Sequence, residues 1–350
     1  MSFIKKLSFH PLFIKIFHWE YWPFAVLYAP LYPYWFWLCL KARAFFYINA
    51  ANPSIRNGGF LMESKKEIYD ILPQGTYPTT LFFHAGTAGT VVLEEVKKKG
   101  IQYPAIGKPD IGMRGMSVQK LENDADLLNY AQKTKVDFLV QSYIPYEDEL
   151  GIFYYRIPGE AKGQITGIVG KELLSVTGDG KSTIDELLQQ QQRFILQLPT
   201  LRKNIPDELM MILPSGERKL LVPYGNHARG AKFLDVTYLA DEKLNHVIDQ
   251  LAKQIDGFYY GRMDVRYNSI EELREGRNFS IIELNGSGSE PTHMYDPCHS
   301  VFFAWKEITR HWAIMYKIST INHKHGVPYM TRKEGLAMLK ANGQLVKNIS

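Results

Sequence analysis

Toward the C-terminal end, two segments alternate charged and apolar residues with the period of a β-strand. They are Gly261-Arg262-Met263-Asp264-Val265-Arg266 and, after a polar turn at Ser269–Arg277, Ile281-Ile282-Glu283-Leu284-Asn285-Gly286. Successive side chains on a strand point to opposite faces. Arg262, Asp264 and Arg266 therefore share one face, with Met263 and Val265 on the other. Glu283 and Asn285 point one way, and Ile282 and Leu284 the other. If the two strands pair, Asp264, Glu283 and Asn285 converge on one polar surface. Two carboxylates and an amide oxygen are hard ligands of the kind that hold Mg²⁺. The carboxylates repel each other, so a cation between them is expected. The bland alternative is an exposed sheet face carrying cross-strand ion pairs.

The rest of the chain sets limits on function. With 41 Lys and Arg against 36 Asp and Glu, the net charge is +5. That surplus is too small to argue for nucleic acid, and no recognition helix, RNA-binding strand or zinc finger is present. Cys39 and Cys298 stand far apart, which excludes a disulfide framework or a cysteine metal site and fits a reducing cytoplasm. Strand patterns occur at Thr79–His84, Ala105–Lys108, Phe138–Ile144, Ile152–Arg156, Gly261–Tyr267 and Phe279–Leu284. Helical periodicity marks Glu63–Ile71, Asp124–Thr134, Thr183–Leu198, Glu242–Ile255 and Val301–Ile318. Residues 1–60 divide off as an aromatic segment and linker, 61–150 as a small lobe, and 151–350 as a large lobe.

From Tyr21 to Leu40 run twenty residues without a charge, a length that crosses a bilayer. Pro23, Pro30 and Pro33 interrupt this run. Trp19, Trp22, Trp35 and Trp37 prefer the membrane–water interface, and Lys5, Lys6, Lys15, Lys41 and Arg43 flank it. The expectation is docking on the inner face of the cell membrane. A single span and an apolar flap folded onto the protein's own body are the alternatives. Residues 47–60, rich in Asn, Gly and Pro, read as a linker or ordered loop.

Two further segments point to a nucleotide. Lys108-Pro-Asp-Ile-Gly112-Met-Arg114-Gly115-Met-Ser117 follows a short apolar strand. Its glycines would let backbone N–H groups approach phosphate oxygens, although the spacing is not that of a Walker A loop. Gln141-Ser142-Tyr143-Ile144-Pro145 ends a strand, where free backbone groups could meet an adenine edge. Glu149, just before the next strand, could accept the ribose hydroxyls. Taken singly, the first segment is also a turn-rich hairpin and the second a solvated acidic turn.

In this order the three segments resemble the ATP-grasp superfamily, in particular the D-alanine–D-alanine ligase branch. The Lys108 pattern, Val176-Thr-Gly-Asp-Gly-Lys-Ser-Thr-Ile184 and Gly225-Asn226-His-Ala-Arg229-Gly230 are closer to cyanophycin synthetase and its glutathione-forming relatives. The match runs from about residue 104 to 297. The resemblance implies an α+β fold of two lobes gripping ATP. It implies that Lys108 and Lys171 hold the phosphates, with the Gly112–Ser117 loop (including Arg114 and Gly115) closing over them. Gln141 to Ile144 would line the adenine site and Glu149 would hold the ribose. Asp264, Glu283 and Asn285 would bind two Mg²⁺ ions, or Mn²⁺. Arg262 would stabilise the transferring phosphoryl group, and Asn226, Arg229 and Ser287 would face the substrate. The family has a substantial domain before the first lysine, whereas here about 45 residues, Gly59 to Tyr103, stand in its place. The implied reaction activates a carboxylate as an acyl phosphate and couples it to an amine. The substrates would be small molecules or lipid-linked. A kinase acting on a hydroxyl, or an inactive nucleotide-binding scaffold, would share the same motifs.

Overall fold

The computed structural model describes residues 9–112, 117–222, 225 and 230–349. Its strands, in chain order, are β1 (Thr80–Phe83), β2 (Ala105–Pro109), β3 (Gln119–Leu121), β4 (Phe138–Ser142), β5 (Asp148–Tyr155), β6 (Gln164–Glu172), β7 (Ser175–Thr177), β8 (Arg218–Leu220), β9 (Lys232–Asp235), β10 (Tyr260–Tyr267) and β11 (Phe279–Asn285). The chain forms two compact units, one of residues 33–169, 236–292 and 307–350, the other of residues 1–32, 170–235 and 293–306.

The larger unit contains two antiparallel arrangements. In the first, ordered β1-β4-β2-β3, apolar side chains of the strands pack under the helices Gly89–Lys98 and Asp124–Lys133. Val92, Val96, Leu127, Tyr130, Phe138 and Val140 form that core. The second helix starts where Asn123 Oδ1 accepts from Asp126 N at 3.0 Å, a side-chain cap for an otherwise unpaired helix N–H.

The second arrangement runs β11-β10-β5-β6, and β6 carries the chain out of the unit. Met263 and Val265 of β10 bury with Ile152, Ile281 and Leu284 against the helices Glu242–Lys253 and Lys65–Ile71. The opposite side of β5 and β10, through Phe153 and Tyr260, packs on Leu38, Tyr47, Ile48, Met315 and Ile318. Residues 47–60 are thus an ordered part of this core, folded as 3₁₀ turns at Tyr47–Ala51 and Arg56–Gly59.

Three element expectations need correction. β5 begins at Asp148, so Glu149 stands inside a strand opposite Arg266 of β10, where a cross-strand ion pair offsets the cost of placing charge there. The polar stretch after β10 holds a short helix, Ile270–Arg274, capped by Ser269 Oγ. The helix expected over Thr183–Leu198 breaks into Ile184–Gln189, Gln192–Ile195 and Leu198–Asn204. The break falls at Gln190–Gln191, exposed residues that anchor nothing in a core built from Ile184, Leu188, Phe194, Leu198 and Leu201.

That core belongs to the smaller unit, which also absorbs the start of the aromatic segment. Trp19 stacks on Tyr295 with ring centroids 5.5 Å apart, and its indole N–H donates to His299 O at 2.8 Å. Glu20 is buried against Arg193 at 3.0 Å, and Arg193 donates onward to Ala231 O at 2.8 Å. Among the described residues no helix is long and apolar enough to cross a membrane. The apolar run is divided into Phe24–Tyr28, Ala29–Leu31 and Tyr32–Ala42, with a proline in or beside the first turn of each, where the missing N–H costs least. No single helix of this segment runs its whole length. In the larger unit, Tyr32–Ala42 buries Leu38 and Cys39 but exposes Phe36, Trp37 and Leu40 beside Lys41 and Arg43.

Candidate active site

The site is built on the pairing of β10 with β11. Their register sets Asp264 opposite Glu283 and Arg262 opposite Asn285, as the alternation requires, with an irregularity after Asp264. Asp264 is buried, and Arg262 holds it through Nε–Oδ1 at 2.7 Å and Nη2–Oδ2 at 3.4 Å. Burial works against the charge on Arg262, but Asp264, and behind it Glu283 and Glu290, outweigh burial and hold its pKa above the ordinary value. Glu283 approaches Lys65 Nζ at 3.9 Å. Each carboxylate therefore already faces a protein cation.

Space for the pair comes from β5. Gly151 lies opposite Asp264, and a Cβ there would sit 3.1 Å from Asp264 Oδ1 and from Arg262 Cδ, and 2.7 Å from Val169 Cγ1. A glycine inside a strand is the sequence signal that could have revealed this close approach.

After β11 the chain is pinned by a loop some two hundred residues earlier. Gly58 and Gly59, at φ +67° and +73°, cross Gly286 so closely that a Cβ on Gly59 would lie 2.6 Å from Gly286 Cα. Ser287 N and Gly288 N donate to Gly58 O and Gly59 O at 3.0 and 2.8 Å. Asn52 locks the crossing, donating to Gly58 O and Tyr260 O at 3.0 and 2.8 Å. Beside it the side-chain amide nitrogen of Asn285 and the hydroxyl of Ser287 are buried without a hydrogen-bond partner. Leaving such a group unsatisfied costs about 1–3 kcal/mol, which suits a place that a ligand completes.

Glu283 and Asn285 line a small cleft, partly open to solvent, together with Glu63, Lys65, Ile68, Tyr69 and Leu284. Glu63 has its pKa raised, first by burial. None of Glu63, Lys65 and Tyr69 was singled out from the sequence. Lys108, on β2, is buried and donates to Tyr69 Oη at 2.8 Å, Gln141 Oε1 at 2.9 Å and Ile282 O at 3.4 Å. Burial pushes it down to about 8, while Glu283 and Asp110 pull the other way. At neutral pH it still carries its charge. The Gln141 side chain is turned inward onto Lys108 and Thr80.

The hinge after β4 is held by Arg266, which donates to Ile144 O and Tyr146 O at 3.4 and 3.2 Å and pairs with Glu149 at 3.7 Å. Ser142 N donates to Thr79 O, and Lys120 lies 5.1 Å over the Tyr143 ring. The glycine loop leaves β2 through Asp110, which accepts from Ser64 Oγ and Lys66 N at 3.0 and 2.8 Å. Gly112 O accepts from Lys65 Nζ at 3.4 Å. Ser117, at φ +56°, closes the described part of the loop and accepts from Tyr130 Oη at 3.1 Å. Arg114, Gly115, Asn226 and Arg229 lie outside the described residues. Lys171 belongs to the smaller unit, where it is half-buried and Gly225 packs on its side chain.

Among the described residues no three His, Cys, Asp or Glu form a metal-binding group. Two in-register carboxylates with a neighbouring amide nevertheless fit Mg²⁺, which takes few protein ligands and completes its shell with water and phosphate oxygens.

No family model matches the chain. Over 206 residues, 54% of its length, the chain is 24% identical to the glutathione biosynthesis bifunctional protein of Clostridium perfringens. It spans about a quarter (26%) of that relative. Among solved structures it is similar to a bifunctional glutathione synthetase from Pasteurella multocida, at TM-score 0.41 and 13% identity over 75% of this chain and 38% of that one. A D-Ala:D-Ser ligase from Enterococcus faecalis gives 0.41 and 11% over 76% and 62%. A D-alanine–D-alanine ligase from Bacillus anthracis gives 0.42 and 11% over 75% and 69%.

Proposed function

We propose that this chain is an ATP-grasp carboxylate–amine ligase that converts ATP to ADP and phosphate. The observation that carries this reading is the register of Asp264 with Glu283, beside a cleft lined by Lys65 and by Tyr69, to which the buried Lys108 donates. The curated relative is named for glutathione biosynthesis, which supports the reaction class and leaves the substrates of this chain open.

A carboxylate is a poor acyl electrophile, so the reaction needs a leaving group and then tolerance of an oxyanion. Asp264, Glu283 and Asn285 would hold Mg²⁺, which when bound neutralises phosphate charge. Lys108 and Lys171 would add point charges to the triphosphate. Arg262, kept charged by its carboxylate neighbours, would face negative charge first on the phosphoryl group and then on the tetrahedral centre. The loop from Gly112 to Ser117 would exclude water from the acyl phosphate. Because a hydroxyl kinase would use the same ATP site, the decisive measurement is co-substrate dependence. ADP release by the purified chain should require both a carboxylate and an amine. Release supported by a hydroxyl acceptor alone, with no C–N product, would replace the ligase by a kinase.

Contact with an anionic bilayer surface is a second part of the reading. It rests on the exposed Phe36, Trp37 and Leu40 beside Lys41 and Arg43. Each basic residue at such a surface contributes about 1 kcal/mol. The full-length protein should sediment with vesicles containing anionic lipid and be released by salt. Recovery in the supernatant at low salt would remove membrane contact and leave the enzyme reading untouched.

A further inference from the structure

Lys65 is absent from every motif above, yet it occupies the junction of two of them. Its ammonium lies 3.4 Å from Asp110 O and from Gly112 O, where the glycine loop begins, and 3.9 Å from Glu283 Oε1. The side chain is only 15% exposed. Its place is fixed at both ends, because Lys65 N also donates to Asp110 O at 3.2 Å and Ser64 binds the Asp110 carboxylate. Glu63 and Glu283 both line the cleft around it.

We propose that Lys65 holds the place of the divalent cation at Glu283 in the ligand-free protein and yields that carboxylate when the metal arrives with nucleotide. The inference rests on the ligase reading and its metal site. Two cations cannot share one side of one carboxylate without repelling each other, so Lys65 and the metal compete. Once displaced from Glu283, the ammonium still sits beside Gly112 O, at the start of the loop that the phosphates would meet. It then counts among the cations of the triphosphate. Lys65 is therefore a positioning residue whose removal moves metal and nucleotide affinity in opposite directions, which loss of a mere structural strut would not do.

The test uses the full chain, without nucleotide, titrated with Mn²⁺ alone and followed by electron paramagnetic resonance. Lys65→Gln keeps a donor for the two carbonyls but removes the charge. It should bind Mn²⁺ about two- to fivefold more tightly than wild type, the worth of a partly exposed ion pair. Its affinity for ATP should fall over the same comparison. Lys65→Arg restores the charge and should return both values toward wild type. Unchanged or weaker Mn²⁺ binding by Lys65→Gln, in a protein whose wild type binds the ion, overturns the proposal and leaves the ligase reading standing. A lowered melting temperature with no gain in metal affinity likewise makes Lys65 a strut between Asp110 and Gly112. If neither wild type nor variants bind Mn²⁺ even with a non-hydrolysable ATP analogue present, the metal assignment itself falls, and this inference with it.

Discussion

Asp264→Asn should reduce ADP formation by at least about 10²-fold, because an amide supplies a weaker ligand and no charge to a cation. Asparagine preserves the shape beside Gly151 and an oxygen that can still accept from Arg262, so the strand pairing should survive. Alanine is the harsher change. It strands the Arg262 guanidinium in a buried site, and breaking a buried pair from one side costs about 3–5 kcal/mol. Loss of activity in Asp264→Ala could therefore reflect unfolding. Glu283→Gln is the cleaner companion, since Glu283 is 39% exposed and its pair with Lys65 is long. Both polar variants should melt near the wild-type temperature and fail to bind Mn²⁺ with normal affinity. ADP formation at wild-type rates by both would dismiss the metal assignment.

Much of this site could be read from the sequence because its logic is local. The period-two alternation in Arg262-Met263-Asp264-Val265 decides which side chains bury, and burial of Met263 and Val265 then fixes the register that sets Asp264 opposite Glu283. Two helix starts were legible for the same reason: Asn123 and Asp241 cap their own next turn.

What escaped was decided at long range. Lys65 and Tyr69 reach the site only because their helix packs on β11, and nothing in a lysine-rich helical turn announces that. The crossing of Gly58–Gly59 over Gly286–Gly288 depends on two glycine pairs meeting, whereas either alone is a turn signal. The charges at Asp148 and Glu149 looked like a solvated turn because the compensating Arg266 is more than a hundred residues away. Composition described only part of the aromatic N-terminus: Trp19 and Glu20 have partners inside the protein, which apolar length alone does not announce.

Arg262→Lys keeps one positive charge and should nonetheless lose about 10²–10³-fold in turnover, the usual effect of removing one preorganised transition-state donor. The guanidinium holds both oxygens of Asp264 at 2.7 and 3.4 Å while Nη1 reaches Glu290 O at 3.5 Å. A planar fork of five donors can keep such contacts and still present N–H groups to a phosphoryl oxygen, whereas an ammonium is a single point. Protonation adds a second difference. Burial opposes the charge at position 262, and an arginine resists this because its ordinary pKa lies above 12. A lysine in the same surroundings starts about two units lower, so its remaining activity should fall further as the medium is made alkaline. ATP affinity should change much less than turnover if, as proposed, Lys108 and Lys171 hold the ground-state phosphates. Single-turnover ADP formation, measured across alkaline pH alongside nucleotide affinity, separates these effects. Near-normal turnover in the lysine variant would leave Arg262 as no more than the counter-ion of Asp264. A turnover loss matched by an equal loss of ATP affinity would assign it to substrate binding instead of the transition state.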